Sequence, residues 1–163
     1  MPVRVVPVSF DDPRAIAMRA VLDEDLNARY TPLRTPGEPD EVGRARSEAL
    51  RTHADHVVQT WIALDEDDVP LGHVLLRRLG GDCELKRLLV VPAARRRGVA
   101  KALTAAVIAR AREEGADRVI LQTGPAQPES LALYVAAGFQ PIPVYEPYVA
   151  TMPNSLCFAL DLR

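Results

Sequence analysis

Hydrophobic and polar positions fall into two kinds of block along the chain. Val3 to Val8 is short and β-branched, the pattern of a strand, and Asp11-Asp12-Pro13 follows it. Asp12 suits a helix N-cap and Pro13 the first helical position. The pattern therefore predicts a helix to about Arg29, with Ile16, Ala20, Val21 and Leu26 near helical spacing. Three prolines and a glycine between Thr31 and Pro39 stop it, and Asp40 is read as the cap of a second, more polar helix through about His53. Strands are predicted over Val57 to Leu64, Leu71 to Leu79 and Cys83 to Val91, joined by the acidic turn Asp65–Asp68 and by Gly80-Gly81-Asp82.

The third of these strands ends in an unbroken apolar run, Leu88-Leu89-Val90-Val91, which suits a strand covered on both faces. A helix follows from about Gly98 to Glu114, with Val99, Leu103, Val107 and Ala111 on one stripe and Gly115 as its stop. Val119 to Leu121 reads as a strand and Pro128 to Ala137 as a helix ended by Gly138. Phe139 opens another strand, and Ser155 to Leu162 supplies the last. The order β-α-α-β-β-β-α-β-α-β-β describes an α/β chain with an α+β-like mixed sheet. It forms a single domain over residues 1–163, with no repeat, low-complexity tract or linker.

Composition narrows the function classes. Of 163 residues, 48% are hydrophobic and 26% charged, enough apolar content for a core. Twenty basic residues against 22 acidic ones, net -2, argue against a nucleic-acid binder, and no aromatics interleave with the arginines as a stacking platform needs. The basic set is 18 Arg to 2 Lys, most simply a codon bias. Cys83 and Cys157 stand far apart with no CxxC partner; they read as small apolar fillers in a reducing compartment. MPVRVVPVSF has no long apolar core of a signal peptide, and runs such as Leu88–Ala94 are far too short to span a membrane. A cytoplasmic, soluble chain without membrane or nucleic-acid partners is expected. His53, His56 and His73 show no metal-ligand spacing, so no metal is expected.

The chemistry concentrates in ELKRLLVVPAARRRGVAKAL, Glu84 to Leu103. A buried strand stopped by Pro92 leads through a basic loop and Gly98 into a helix. That arrangement aims helix-start N–H groups and the positive end of the helix dipole at the loop, an anion site. The Walker spacing and the GxGxxG fingerprint are both absent. A diphosphate held by backbone amides fits better; as a charge run alone, Arg95 to Arg97 would be a solvated turn.

Arg95-Arg96-Arg97-Gly98-Val99-Ala100 matches the pattern Gln or Arg, two residues, Gly, one residue, Gly or Ala. Val90-Val91-Pro92 precedes it, and LALYVAAGF, Leu131 to Phe139, follows at the expected distance. On these segments the chain resembles the GNAT superfamily of acetyl-CoA-dependent N-acetyltransferases over about residues 82–140. The resemblance implies a splay between the fourth and fifth strands. It also implies acetyl-CoA as co-substrate, with its pantetheine arm along Leu88, Leu89 and Val90 and an amide near Leu89 at the thioester oxygen. Arg95, Arg96, Arg97, Gly98, Val99, Ala100 and Lys101 would hold the pyrophosphate, and Gln127 stands where many members have a cofactor-contacting Asn.

The same resemblance implies Tyr134 as general acid for the leaving thiolate and Glu84, six residues before Val90, as a water-mediated base. Ordinary readings stand beside these roles: a half-buried helix tyrosine, and a carboxylate paired with Lys86 or Arg87. The implied acceptor is a primary amine of a small molecule or peptide, attacked without a covalent enzyme intermediate. Asp23-Glu24-Asp25 is a feature that could draw an ammonium, and Tyr145 and Tyr148 are acceptor-site candidates. A non-catalytic acyl-CoA-binding module is the alternative, and the family's common dimers leave a homodimer open.

Overall fold

The computed structural model describes residues 2–163. Its strands are β1 (Arg4–Val8), β2 (Val57–Leu64), β3 (Pro70–Leu79), β4 (Asp82–Val90), β5 (Arg118–Thr123), β6 (Gln140–Ile142) and β7 (Leu156–Asp161). The helices are α1 (Pro13–Tyr30), α2 (Asp40–Leu50), α3 (Val99–Glu113) and α4 (Pro128–Ala136). They form one sheet in the order β1-β2-β3-β4-β5-β7-β6, antiparallel throughout except for β4 beside β5. The predicted element order is the observed one.

Strand alternation sorts side chains to two faces. Trp61, Ala63, Val74, Leu76, Cys83 and Leu85 face one way and meet the α3 stripe Val99, Leu103, Val107 and Ala111, all fully buried, together with Tyr134 of α4. The opposite face carries Ile62 and Leu64 under Ala15, and Leu89 under Met18 and Leu22 of α1. The apolar run of β4 is thus covered from both sides, as its composition required.

Two helix details differ from expectation. The buried positions of α1 are Ala15, Met18 and Leu22, whereas Ile16 and Val21 are about half exposed. Apolar residues lie on several sides of α1, so docking on the sheet, not periodicity, selects the buried one. α2 starts with Asp40 as its first helical residue, preceded by Pro39, and ends at Leu50. Asp12 does cap α1, accepting the Arg14 N–H at 2.9 Å.

Candidate active site

β4 and β5 are paired only through Cys83 with Val119 and Glu84 with Ile120, although β4 runs on to Val90 and β5 to Thr123. Beyond Glu84 the strands splay, and each presents an unpaired backbone edge to the gap. On its other side β4 stays joined to β3, with a register shift between His73 and Leu75 and Arg87 at φ +59°. This is a bulge, which re-aims the side chains around it. The Val91 N–H donates to the Leu71 carbonyl at 2.9 Å. With Gly72 opposite Val90 and His73 opposite Leu89, the alternation of an antiparallel ladder turns the Leu89 N–H toward β3 and the Val90 N–H into the gap.

One turn after β4 the chain enters the basic loop. Arg96 at φ +64° and Gly98 at φ +77° both take left-handed backbone, costly for arginine and free for glycine. Gly98 is the N-cap of α3, no side chain caps the helix, and no acidic residue stands in its first turn. The first intrahelical bond runs from the Ala102 N–H to the Gly98 carbonyl, 3.0 Å, leaving the N–H groups of Val99, Ala100 and Lys101 without helical acceptors. A Cβ built on Gly98 would meet nothing within 4 Å, so the approach to these amides is open. Arg95 and Arg96 are exposed, whereas Arg97 is partly buried and its Nη2 is a buried donor without a partner among the described residues. This set fits a bound diphosphate: amides, helix dipole and one unpartnered guanidinium nitrogen converge on one loop.

Tyr134 projects from α4 on the α3 side of the sheet, 5% exposed. Its ring packs on Phe139 and Phe158, with centroids 5.7 and 6.5 Å away. Burial holds the phenol above its usual range, so it keeps its proton at any neutral pH.

Glu84 lies on the other face, fully buried. Its Oε1 accepts from Arg77 Nε at 2.7 Å, and its Oε2 accepts from the hydroxyls of Tyr145 at 2.5 Å and Tyr148 at 3.0 Å. Tyr148 in turn accepts from Lys86 Nζ at 2.8 Å and Arg77 Nη2 at 3.2 Å. Arg77 reaches back to the Arg51 carbonyl at 3.2 Å. The carboxylate is thus bound to Arg77 and two phenols, not to Lys86 or Arg87 directly. Burial lowers the Lys86 ammonium to about 8 and pushes both phenols far up, Tyr145 and Tyr148 being further raised by the adjacent carboxylate. Of the two tyrosines, Tyr148 is fully buried and only Tyr145 keeps partial exposure.

His73, also fully buried, props the bulge. Arg19 of α1 can only donate, so His73 Nε2 accepts from its Nη1 at 3.1 Å and Nδ1–H donates to the Arg87 carbonyl at 2.8 Å. Burial, with two arginines nearby, holds the imidazole down at about 4, neutral at pH 7. The Arg87 side chain pairs with Asp23, and Asp25 pairs with Arg29 at 3.0 Å. The acidic end of α1 is therefore largely neutralised by arginines. Gln127 precedes α4, and its Oε1 accepts from Tyr30 at 3.0 Å and Thr123 at 3.3 Å. The Tyr30 hydroxyl fills the place a Cβ on Gly124 would take.

Sequence reasoning missed Arg77, His73, Arg19 and Tyr30. The available signal for Arg77 was an arginine within an apolar strand, cross-strand from Glu84. Among the described residues no group of three or more His, Cys, Asp or Glu is placed to hold a metal ion, and no helix is long and apolar enough to cross a membrane.

The sequence profile of the Acetyltransferase (GNAT) family matches residues 20–139. The chain belongs to this family. It is 40% identical to mouse N-acetyltransferase 8 over 84 residues, which cover 52% of this chain and 34% of that one. The match therefore spans only about a third of that relative's length. A Klebsiella pneumoniae protein assigned as an acyl-CoA N-acyltransferase superposes with TM-score 0.75 at 23% identity, covering 99% of this chain and 98% of the other. The PaiA N-acetyltransferase of Thermoplasma acidophilum, solved with coenzyme A, superposes at 0.67 with 14% identity and 99% coverage of both. The two solved proteins share the fold of this chain.

Proposed function

We propose that the chain transfers the acetyl group of acetyl-CoA to a primary amine of a small molecule or peptide, in the gap between β4 and β5. The observation that carries this reading is the end of β4–β5 pairing at Glu84, with the uncapped start of α3 just beyond the free edge of β4. Leu88, Leu89 and Val90 supply that edge. Gly98 to Lys101, with Arg95, Arg96 and Arg97, hold the diphosphate of the cofactor. Acetyl-CoA supplies an activated acyl group and a thiolate as leaving group.

The Val90 N–H, unpaired toward β3, is the donor suited to a thioester oxygen as it gains charge. Loss of such a donor costs about 3–4 kcal/mol of barrier. Tyr134 holds its proton firmly and acts as general acid toward the leaving sulfur. Glu84 serves as the end of a proton path through Tyr145, the partly exposed phenol bonded to it, because the carboxylate itself has no access to water. The side chain of Gln127 is already engaged by Tyr30 and Thr123, which leaves only its amide nitrogen for a cofactor contact.

The test is thiol release from acetyl-CoA against a panel of amines. Wild type should turn over at least one amine, with Tyr134→Phe slower by about 100-fold in kcat. Tight coenzyme A binding with no amine-dependent release would mean a binding module instead. A stoichiometric burst of acetylated enzyme would contradict direct attack.

A further inference from the structure

A cleft of about 870 Å³ opens between α2, the segment that precedes it, and the bulge of β4. Five arginines line it (Arg34, Arg44, Arg46, Arg51 and Arg87) against three carboxylates, Glu38, Asp40 and Glu48. Two of the carboxylates are already taken: Glu38 pairs with Arg46, and Glu48 lies 3.7 Å from Arg51 and 3.5 Å from His53. Arg34 and Arg44 have no ion-pair partner among the described residues, and both are exposed to the cleft.

Arg87 is the residue that ties the cleft to the reaction site. It immediately precedes Leu88, where the free edge of β4 is proposed to receive the acyl donor. In a regular strand, position 87 would point opposite to Lys86, into the apolar face packed under α3. The bulge breaks that alternation: Leu88 joins the α3-side core instead, and Arg87 emerges at the cleft. This conformation, at φ +59°, is strained for arginine, and the buried His73, itself bonded by Arg19, holds the Arg87 carbonyl in place. The fold therefore maintains a costly backbone turn whose result is a guanidinium presented to the cleft beside β4.

Guanidinium forks recognise planar oxyanions bidentately, and they repel ammonium groups. A polyamine would meet net positive charge here. Resting on the acetyl-transfer reading above, we infer that the acceptor is a small amine that also bears a carboxylate, an amino acid or close analogue. Arg87, Arg34 and Arg44 engage the carboxylate, and the amine is directed toward β4. Asp23, the present partner of Arg87, is exposed and yields to an incoming carboxylate.

The experiment compares each of several amino acids with its own C-terminal amide as acceptor, using the full chain and thiol release from acetyl-CoA, with putrescine as a dicationic control. The acids should exceed their amides by about tenfold or more in kcat/KM, and Arg87→Lys should shrink that ratio severalfold through KM for the acids. Amides or putrescine matching or exceeding the acids would overturn the inference. If no amine is turned over, the acetyl-transfer reading itself has failed. Calorimetric binding of N-acetyl amino acids against their amides, on the chain loaded with coenzyme A, then decides the cleft separately. Preference for the acids, weakened in Arg87→Lys, supports it, and equal or absent binding of the acids overturns it.

Discussion

The two sides of β4 treat their polar groups in opposite ways. Toward α3, the amides of Val99, Ala100 and Lys101 lack helical acceptors, and two loop residues sit in left-handed backbone beside them. On the face toward α1, Glu84 carries three hydrogen bonds, Tyr148 adds two more from Lys86 and Arg77, and His73 has both ring nitrogens engaged. Unsatisfied donors at a surface are cheap while water can reach them and mark where a ligand is received. A saturated buried network instead fixes position, and its loss unbalances the fold. The first region should thus respond to substitution mainly in binding, the second mainly in stability.

The largest effect should come from Glu84→Gln. It leaves Arg77 and Lys86 buried without their counter-charge, and urea denaturation should show a loss of about 3–5 kcal/mol. Replacing Lys86 by Met removes a cation that bonds only the Tyr148 hydroxyl, and its cost should be within about 1 kcal/mol, because Glu84 keeps Arg77 as its direct counter-charge. Equal losses in both variants would break the picture of a network centred on the carboxylate.

A second effect separates the halves by pH. His73 is neutral when folded, with its pKa near 4, and binds a proton more readily when unfolded, near 6.5. Between those values the unfolded chain holds more protons, so stability is complete above about 6.5 and declines as pH falls toward 4, by up to about 3 kcal/mol. Denaturation midpoints across this window should show that decline in wild type and a shallower one in His73→Gln. An unchanged slope would remove His73 as its source.

Smaller changes belong to the loop. Gly98→Ala should weaken coenzyme A binding about tenfold and cost about 1–2 kcal/mol of stability, since alanine must adopt φ +77°. Arg96→Gly should go the other way in stability, gaining up to about 1 kcal/mol by relieving the left-handed arginine at φ +64°. Calorimetry and thermal melts read both.

This contrast also explains what could be read from the chain before its structure. The α3 stripe and the Arg95–Ala100 loop were legible because their residues are contiguous or spaced by helix turns, and local geometry alone assembles them. The Glu84 network joins β3, β4 and the segment between β6 and β7, so no local spacing reveals it. Glu84 was found through resemblance, but its partners Arg77, Tyr145 and Tyr148 emerged only once the sheet was assembled. The buried side of α1 was misread for a related reason: Ile16 and Met18 are equally apolar, and only the position of β4 and Leu89 decides between them.

The most direct test of the account is amide hydrogen exchange with and without coenzyme A. Protection should appear at Val90 and from Gly98 to Lys101, while the amides of Arg77, Glu84 and Lys86 stay as slow as before. Binding that left the α3 start and Val90 unprotected would place the cofactor elsewhere and contradict the assignment of the gap between β4 and β5.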